Sequence, residues 1–273
     1  MTTMDKGGLR CYLNEENKMV KVDIYEYTET ERAILEQNAN DIKEIFYGSY
    51  LCDVDFSMIA KMKNLEMLNI DDRYKVVDIS FANGLKNLKG LATGKFTGTL
   101  NNKNLVALSY KWHKKSDISQ STNIEGLGIT NCADMEVFLS QVKELKKLER
   151  MMIWKISSQS FPKTDTVTHV TWLEFFFCPR LMDIKELPSI FPKLKHLSCD
   201  HCKNIQDYSP LAKLTDLEEL IIHESAPVAD LSFLKEMKKL TLLKIFKTKI
   251  TAKNVEILDG ISAKLDLFST GIN

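Results

Sequence analysis

Leu217-Glu218-Glu219-Leu220-Ile221-Ile222 and, 23 residues on, Leu240-Thr241-Leu242-Leu243-Lys244-Ile245 share one cadence, apolar-x-x-apolar-x-apolar. Working outward from this pair, the first apolar position of each copy falls at Ile42, Leu65, Leu88, Leu105, Ile124, Leu148, Val170, Leu194, Leu217, Leu240 and Ser262. The steps are 23, 23, 17, 19, 24, 22, 24, 23, 23 and 22 residues. Self-similarity at such a period marks a chain built of stacked supersecondary units, each burying its apolar face only against its neighbours. Within a unit, positions 1, 4 and 6 point inward, and alternation along a short strand turns positions 3, 5 and 7 to the other face. Near residue 85 two registers remain open, because Leu85-x-x-Leu88 divides the span from Leu65 to Leu105 into 20 plus 20 and Leu88-x-x-Leu91 into 23 plus 17.

Each strand is followed by a return segment. In Asp207 to Leu214 and Asp230 to Met237 a polar cap precedes one or two helical turns, which sets Leu211, Leu214, Phe233 and Leu234 beneath the sheet. Ala133 to Leu145 reads as a longer helix on the same side. Residues 1–41 read as an N-terminal cap. Leu9–Leu13 and the run from Val20 to Tyr25 alternate around the polar turn 14–17 like a hairpin, and Thr28-Glu29-Thr30-Glu31 opens a short helix with a capping box. Met19-x-x-Val22-x-Ile24 is a candidate degenerate first repeat, 23 residues before Ile42. Residues 42–273 are then the repeat array with its C-terminal cap.

The cadence from Asp207 to Ile250 resembles bacterial leucine-rich repeat proteins of the internalin-like, roughly 22-residue kind. The resemblance implies an α/β fold: a right-handed leucine-rich repeat solenoid with short parallel strands on the concave face and short helices and turns on the convex face. It departs from that family at position 9, where Cys132, Cys178, Cys202, Ser225, Thr248 and Thr270 replace the usual asparagine, which is closer to the cysteine-containing subtype. A small polar side chain suits a site where the chain leaves the strand and backbone groups need partners.

Formal net charge is zero, from 37 basic and 37 acidic residues, so the electrostatic footprint of a duplex binder is missing and no nucleic-acid partner is expected. The first residues lack the apolar core of a signal peptide and no stretch is long enough to span a membrane. Six cysteines without the paired spacings of secreted scaffolds suggest reduced thiols. The expectation is a cytoplasmic chain, monomeric alone.

His196-Leu197-Ser198-Cys199-Asp200-His201-Cys202 contains C-x-x-C and two histidines, which invites zinc. The register opposes that reading: Cys199 and Cys202 hold inward positions 6 and 9, whereas His196 and His201 hold outward positions 3 and 8. No metal and no cofactor is expected. Phosphate-loop glycine patterns and a nucleophile elbow are absent, and Asp71, Asp72, Glu174, Asp200, Glu218, Glu219 and Glu224 spread over a broad face instead of pairing in a cleft. The chain therefore reads as no enzyme.

What remains is a binding surface. Trp112, Trp154 and Trp172 fall at positions 8, 7 and 3, off the core, and interfaces concentrate Trp and Arg at their centres. Trp154, Trp172 and Phe176 are expected as one exposed patch. With Trp112, Arg150, Met152, Glu174, His196, Asp200, Glu218, Glu219, His223 and Phe246 they make up the candidate partner-binding set. Aromatics laid flat on neighbouring repeats to stabilise the ladder are the competing reading. The expected function is a protein-binding scaffold whose concave face occludes a cognate partner, as an immunity protein inhibits a toxin. An adaptor or a host-targeted effector is the alternative.

Overall fold

The computed structural model describes residues 1–48, 55–71, 75–251 and 254–271; Cys52 and Asp72 lie outside them. The chain forms two compact units, residues 1–125 and 126–273.

In the first unit, β1 (Thr2–Lys6), β2 (Leu9–Leu13) and β3 (Met19–Ile24) form an antiparallel meander. The turn after β1 needs Gly7, whose φ is +59° and whose missing Cβ leaves room for the Glu31 carboxylate. Helix α1 (Glu29–Asn38) follows, with a complete capping box between Thr28 and Glu31. Strand β3 belongs to two patterns at once. It closes the hairpin with β2 and pairs in parallel with β4 (Glu44–Gly48), Val22 opposite Ile45, so the Met19 copy of the repeat is real. The ladder continues past the short helix α2 (Phe56–Ile59) through β5 (Met67–Asp71), β7 (Gly90–Thr99) and β8 (Ala107–Lys111), while β6 (Val76–Asp78) and β9 (Ser116–Asp117) add to the far end of β7.

Met67 and Ala107 both pair with Gly90, which makes Leu88 the first apolar position and decides the register for the 23 plus 17 division. A 17-residue unit has little return segment. From it, buried Asn102 reaches back to the 3-10 turn of the preceding unit, Ile79–Gly84, and its side-chain amide donates to the carbonyls of Ala82 (2.8 Å) and Leu85 (2.9 Å).

The second unit is more regular. Strands β10 (Gly126–Thr130), β11 (Arg150–Trp154), β12 (Trp172–Phe176), β13 (His196–Asp200), β14 (Glu219–His223), β15 (Leu242–Phe246) and β16 (Lys264–Phe268) pair in parallel and in step. Positions 4 and 6 are buried from Leu127 and Ile129 through Leu243 and Ile245. On the return side lie α3 (Met135–Val142), α4 (Leu187–Ile190), 3-10 turns at Ser209–Lys213 and Ser232–Glu236, and α5 (Val255–Asp259). Leu211, Leu214, Phe233 and Leu234 are buried as the pattern requires.

Position 9 carries the hydrogen bonds expected of it. Ser225 Oγ donates within reach of the Cys199 and His223 carbonyls (3.1 and 3.0 Å) and accepts from Cys202 N (3.1 Å); Thr248 Oγ1 accepts in turn from Ser225 N (3.1 Å). Position 8 brought a surprise. Asn131, Lys155, Phe177, His201, Glu224, Lys247 and Ser269 all have φ between 43° and 59°, and from Asn131 to Lys247 each of these N–H groups donates to the position-7 carbonyl of the next repeat. The left-handed residue keeps the ladder paired while turning its own side chain outward.

Candidate functional site: three side-chain rows on the second unit

Because the seven strands of the second unit are in step, like positions align into rows. Position 3 gives Arg150, Trp172, His196 and Glu219; position 5 gives Met152, Glu174, Ser198, Ile221 and Lys244; position 7 gives Trp154, Phe176, Asp200, His223, Phe246 and Phe268. Strand pairing thus brings most of the sequence-selected residues onto one face. Glu218, at position 2, stands at the strand entrance and pairs with Lys195 at 3.2 Å.

The position-3 row is a stack. The Arg150 guanidinium lies 5.2 Å from the Trp172 ring centre, and Trp172 lies flat on His196 at 3.5 Å and 6°. Trp172 Nε1 donates to Glu174 Oε1 at 2.7 Å, while His196 Nδ1 meets Glu219 Oε2 at 2.8 Å and Nε2 faces Glu174 Oε1 at 3.6 Å. His196 is therefore buried, 4% exposed, where the sequence pointed to an outward side chain. The indole above and the two carboxylates beside it shut the imidazole from solvent, so it supports Trp172 from below and offers no contact of its own.

The position-7 row joins position 8 in a ribbon of rings. Trp154 stacks on Phe176 (5.9 Å, 24°) and on Phe177 (5.6 Å, 17°). Phe177 stacks on His201 (4.2 Å), and contacts run on through His223 and Phe246 to Phe268. Trp172 stands apart from this ribbon. Four strand residues, roughly 13 Å of rise, separate positions 3 and 7, so the single patch expected from Trp154, Trp172 and Phe176 is two clusters. Phe177 is the exposed aromatic residue that the sequence-selected set omits. It follows the strand at position 8, where the left-handed backbone carries its ring, 40% exposed, alongside Trp154.

Trp112 is the second correction. It belongs to the first unit and is buried, 7% exposed. Unlike the position-8 residues of the later repeats, Trp112 has no left-handed backbone to swing it outward, and burial of a large indole is the favourable alternative.

The carboxylates are already engaged within the chain. Glu224 Oε1 pairs with Lys247 at 2.7 Å, which, as the leading cause, holds its carboxyl below the ordinary range; His201 and His223 face the same group. Asp200 faces both imidazoles. The face therefore presents carboxylates already engaged by neighbouring Trp, His and Lys side chains, with Met152, Trp154 and Phe177, each 40–42% exposed, as large apolar side chains on it. Cys199 and Cys202, which invited zinc, are buried beneath it, and the described cysteines are free thiols.

This repeat geometry defines the leucine-rich repeat fold. No family model matches the chain, and no curated protein does. Among solved structures it is similar to TLR13 in its complex with a single-stranded RNA, at 13% identity and a TM-score of 0.52, over 93% of this chain and 52% of that one, so that it spans about half of TLR13's length. Internalin C2 of Listeria monocytogenes matches at 17% identity and TM-score 0.40 (78% of this chain, 84% of that one). The functional domain of InlJ from the same organism, which includes a cysteine ladder, matches at 12% and 0.40 (78% and 50%). Among the described residues, no helix is long and apolar enough to cross a membrane.

Proposed function

We propose that the chain is a non-enzymatic scaffold that binds a protein through the outer sheet face of its second unit. One observation carries this reading: Met152, Trp154 and Phe177 stand exposed side by side on strands locked in register. Aromatic residues, Met and Arg are what interface centres concentrate, and rings held by their neighbours lose little entropy on docking. Arg150 and Trp172 form a second contact at the other end of the strands. TLR13 is seen in complex with a single-stranded RNA, but this chain, with 37 basic and 37 acidic residues, lacks the basic surplus that phosphate contacts require, which favours a protein.

In our reading the free chain is a cytosolic monomer and acts as an inhibitor, the rigid face occluding the working surface of a cognate toxin, as an immunity protein does. The test uses the product of the neighbouring gene. Trp154→Ala and Phe177→Ala are expected to weaken its binding by about 2 kcal/mol or more with the melting temperature unchanged. A lowered melting temperature with unaltered affinity would make the rings a structural ladder only. Loss of the partner's activity on binding supports inhibition, whereas full activity in the complex would replace the inhibitor with an adaptor.

A further inference from the structure

Four side chains at positions 7 and 8 of two adjacent repeats close a ring on the second unit. Asp200 and His223 are opposite each other on β13 and β14, and His201 and Glu224 are the left-handed residues that follow them. Both imidazoles present the same edge to the same partner. His201 Nδ1 and His223 Nδ1 both contact Asp200 Oδ1, the latter at 3.1 Å, while their Nε2 atoms face Glu224 Oε2 (2.8 Å) and Oε1 (3.5 Å) respectively. One donor atom from each of Asp200, His201 and His223 lies within 4.8 Å of the other two. Each group is partly buried, with 20–33% of its side chain exposed, so an ion can reach it from solvent.

We propose that Asp200, His201 and His223 form a divalent zinc-class metal site, with Glu224 as the carboxylate that orients both imidazoles. Ligands bonded to zinc at roughly 2.0–2.1 Å in a tetrahedral arrangement lie a little over 3 Å from one another, close to the 3.1 Å between Asp200 Oδ1 and His223 Nδ1. Two imidazoles and a carboxylate suit zinc, nickel or cobalt over magnesium or calcium, which take oxygen. Glu224 is held at 2.7 Å by Lys247 and so is anchored on the far side of both rings. That is where a metal-bound histidine places its other N–H. Each imidazole binds the ion as its neutral tautomer, with the Nδ1 lone pair on the metal in place of the contact with Asp200 and its one proton on Nε2 toward Glu224; only an imidazole protonated on both nitrogens gives up a proton to solvent on binding. Three protein ligands leave a fourth position open on the exposed face, for water or for a side chain of the bound partner. The buried Cys199 and Cys202 take no part.

The test uses the full-length chain alone, stripped with chelator and titrated with zinc chloride, so its outcome is independent of whether the partner proposal holds. One zinc per chain is expected, retained through gel filtration. His201→Gln with His223→Gln is expected to abolish it, and Glu224→Gln to weaken it about 10- to 100-fold at the same stoichiometry. Cobalt bound to the unaltered chain is expected to show the visible bands of nitrogen and oxygen ligation without a thiolate charge-transfer band, a readout that needs no variant to fold. Failure to retain zinc, retention by the folded double variant, or a thiolate band would overturn the site. Unchanged affinity in Glu224→Gln would overturn the role given to that carboxylate.

Discussion

Seven position-8 residues of the second unit, among them Lys155, Phe177 and His201, adopt a backbone that glycine takes freely and other residues take at a cost of roughly 1 to 2 kcal/mol each. Two things are gained there: a ladder hydrogen bond to the next strand and an outward side chain. Lys155, exposed and with φ of 59°, isolates the backbone contribution. Lys155→Val is expected to be less stable than Lys155→Gly by about 1 kcal/mol or more in denaturant unfolding, since a β-branched residue is poorly accommodated at positive φ; equal midpoints would show that the conformation costs nothing. One step on, position 9 is a site of chemical inertness. Burial raises the Cys132 thiol to about 12, and Cys178, fully buried with its sulfur toward the Ile153 and Phe176 carbonyls, is pushed up by its contact with Cys202 and then by burial. Both should resist alkylation at pH 8 in the native chain and react on unfolding, as read by peptide mass spectrometry; fast native labelling would contradict their burial.

At the scale of elements, α1 is pinned to the meander by one carboxylate. Glu31 takes the Thr28 hydroxyl, the Thr28 N–H (2.9 Å) and, across the turn, the Gly8 N–H (3.1 Å). These bonds, that of the Thr28 side chain first, hold its pKa at about 2. The folded value lies below the unfolded value near 4.3, so the stabilisation is complete above about pH 5 and is lost as pH falls through 4 toward 2. Glu31→Gln should cost about 1 to 2 kcal/mol at neutral pH, and its gap from the unaltered chain should close in acid; a gap independent of pH would show that the charge plays no part. The ring ribbon is the other element-scale device. Each ring lies on the next repeat's side chain, as cross-strand pairs do; Phe176 and His223 are half-buried in the ribbon, whereas Trp154 and Phe177 keep an exposed face, the one the proposed partner would meet.

For the whole molecule, equal numbers of basic and acidic residues leave no formal net charge, and Glu174, Asp200, Glu218, Glu219 and Glu224 each already have a side-chain partner on the face. Association with the partner should therefore change by no more than a few-fold on raising salt, measured by stopped flow; a steep loss of rate would restore electrostatic steering as the main drive. How far the sequence reached follows from what each feature depends on. Repeat period, buried positions, return turns, the capping box and the polar character of position 9 are properties of a residue and its near neighbours, because apolar periodicity and hydrogen-bonding capacity are written locally. The Leu88 register was not, since two leucines three apart satisfy the same pattern and only pairing with Met67 and Ala107 separates them. Trp112 turned inward, His196 disappeared under Trp172, Phe177 came out beside Trp154, and two histidines met two carboxylates. Each of those outcomes was decided by the tertiary structure, because it rests on the sign of one φ and on which residue stands 22 to 24 positions away in the adjoining strand.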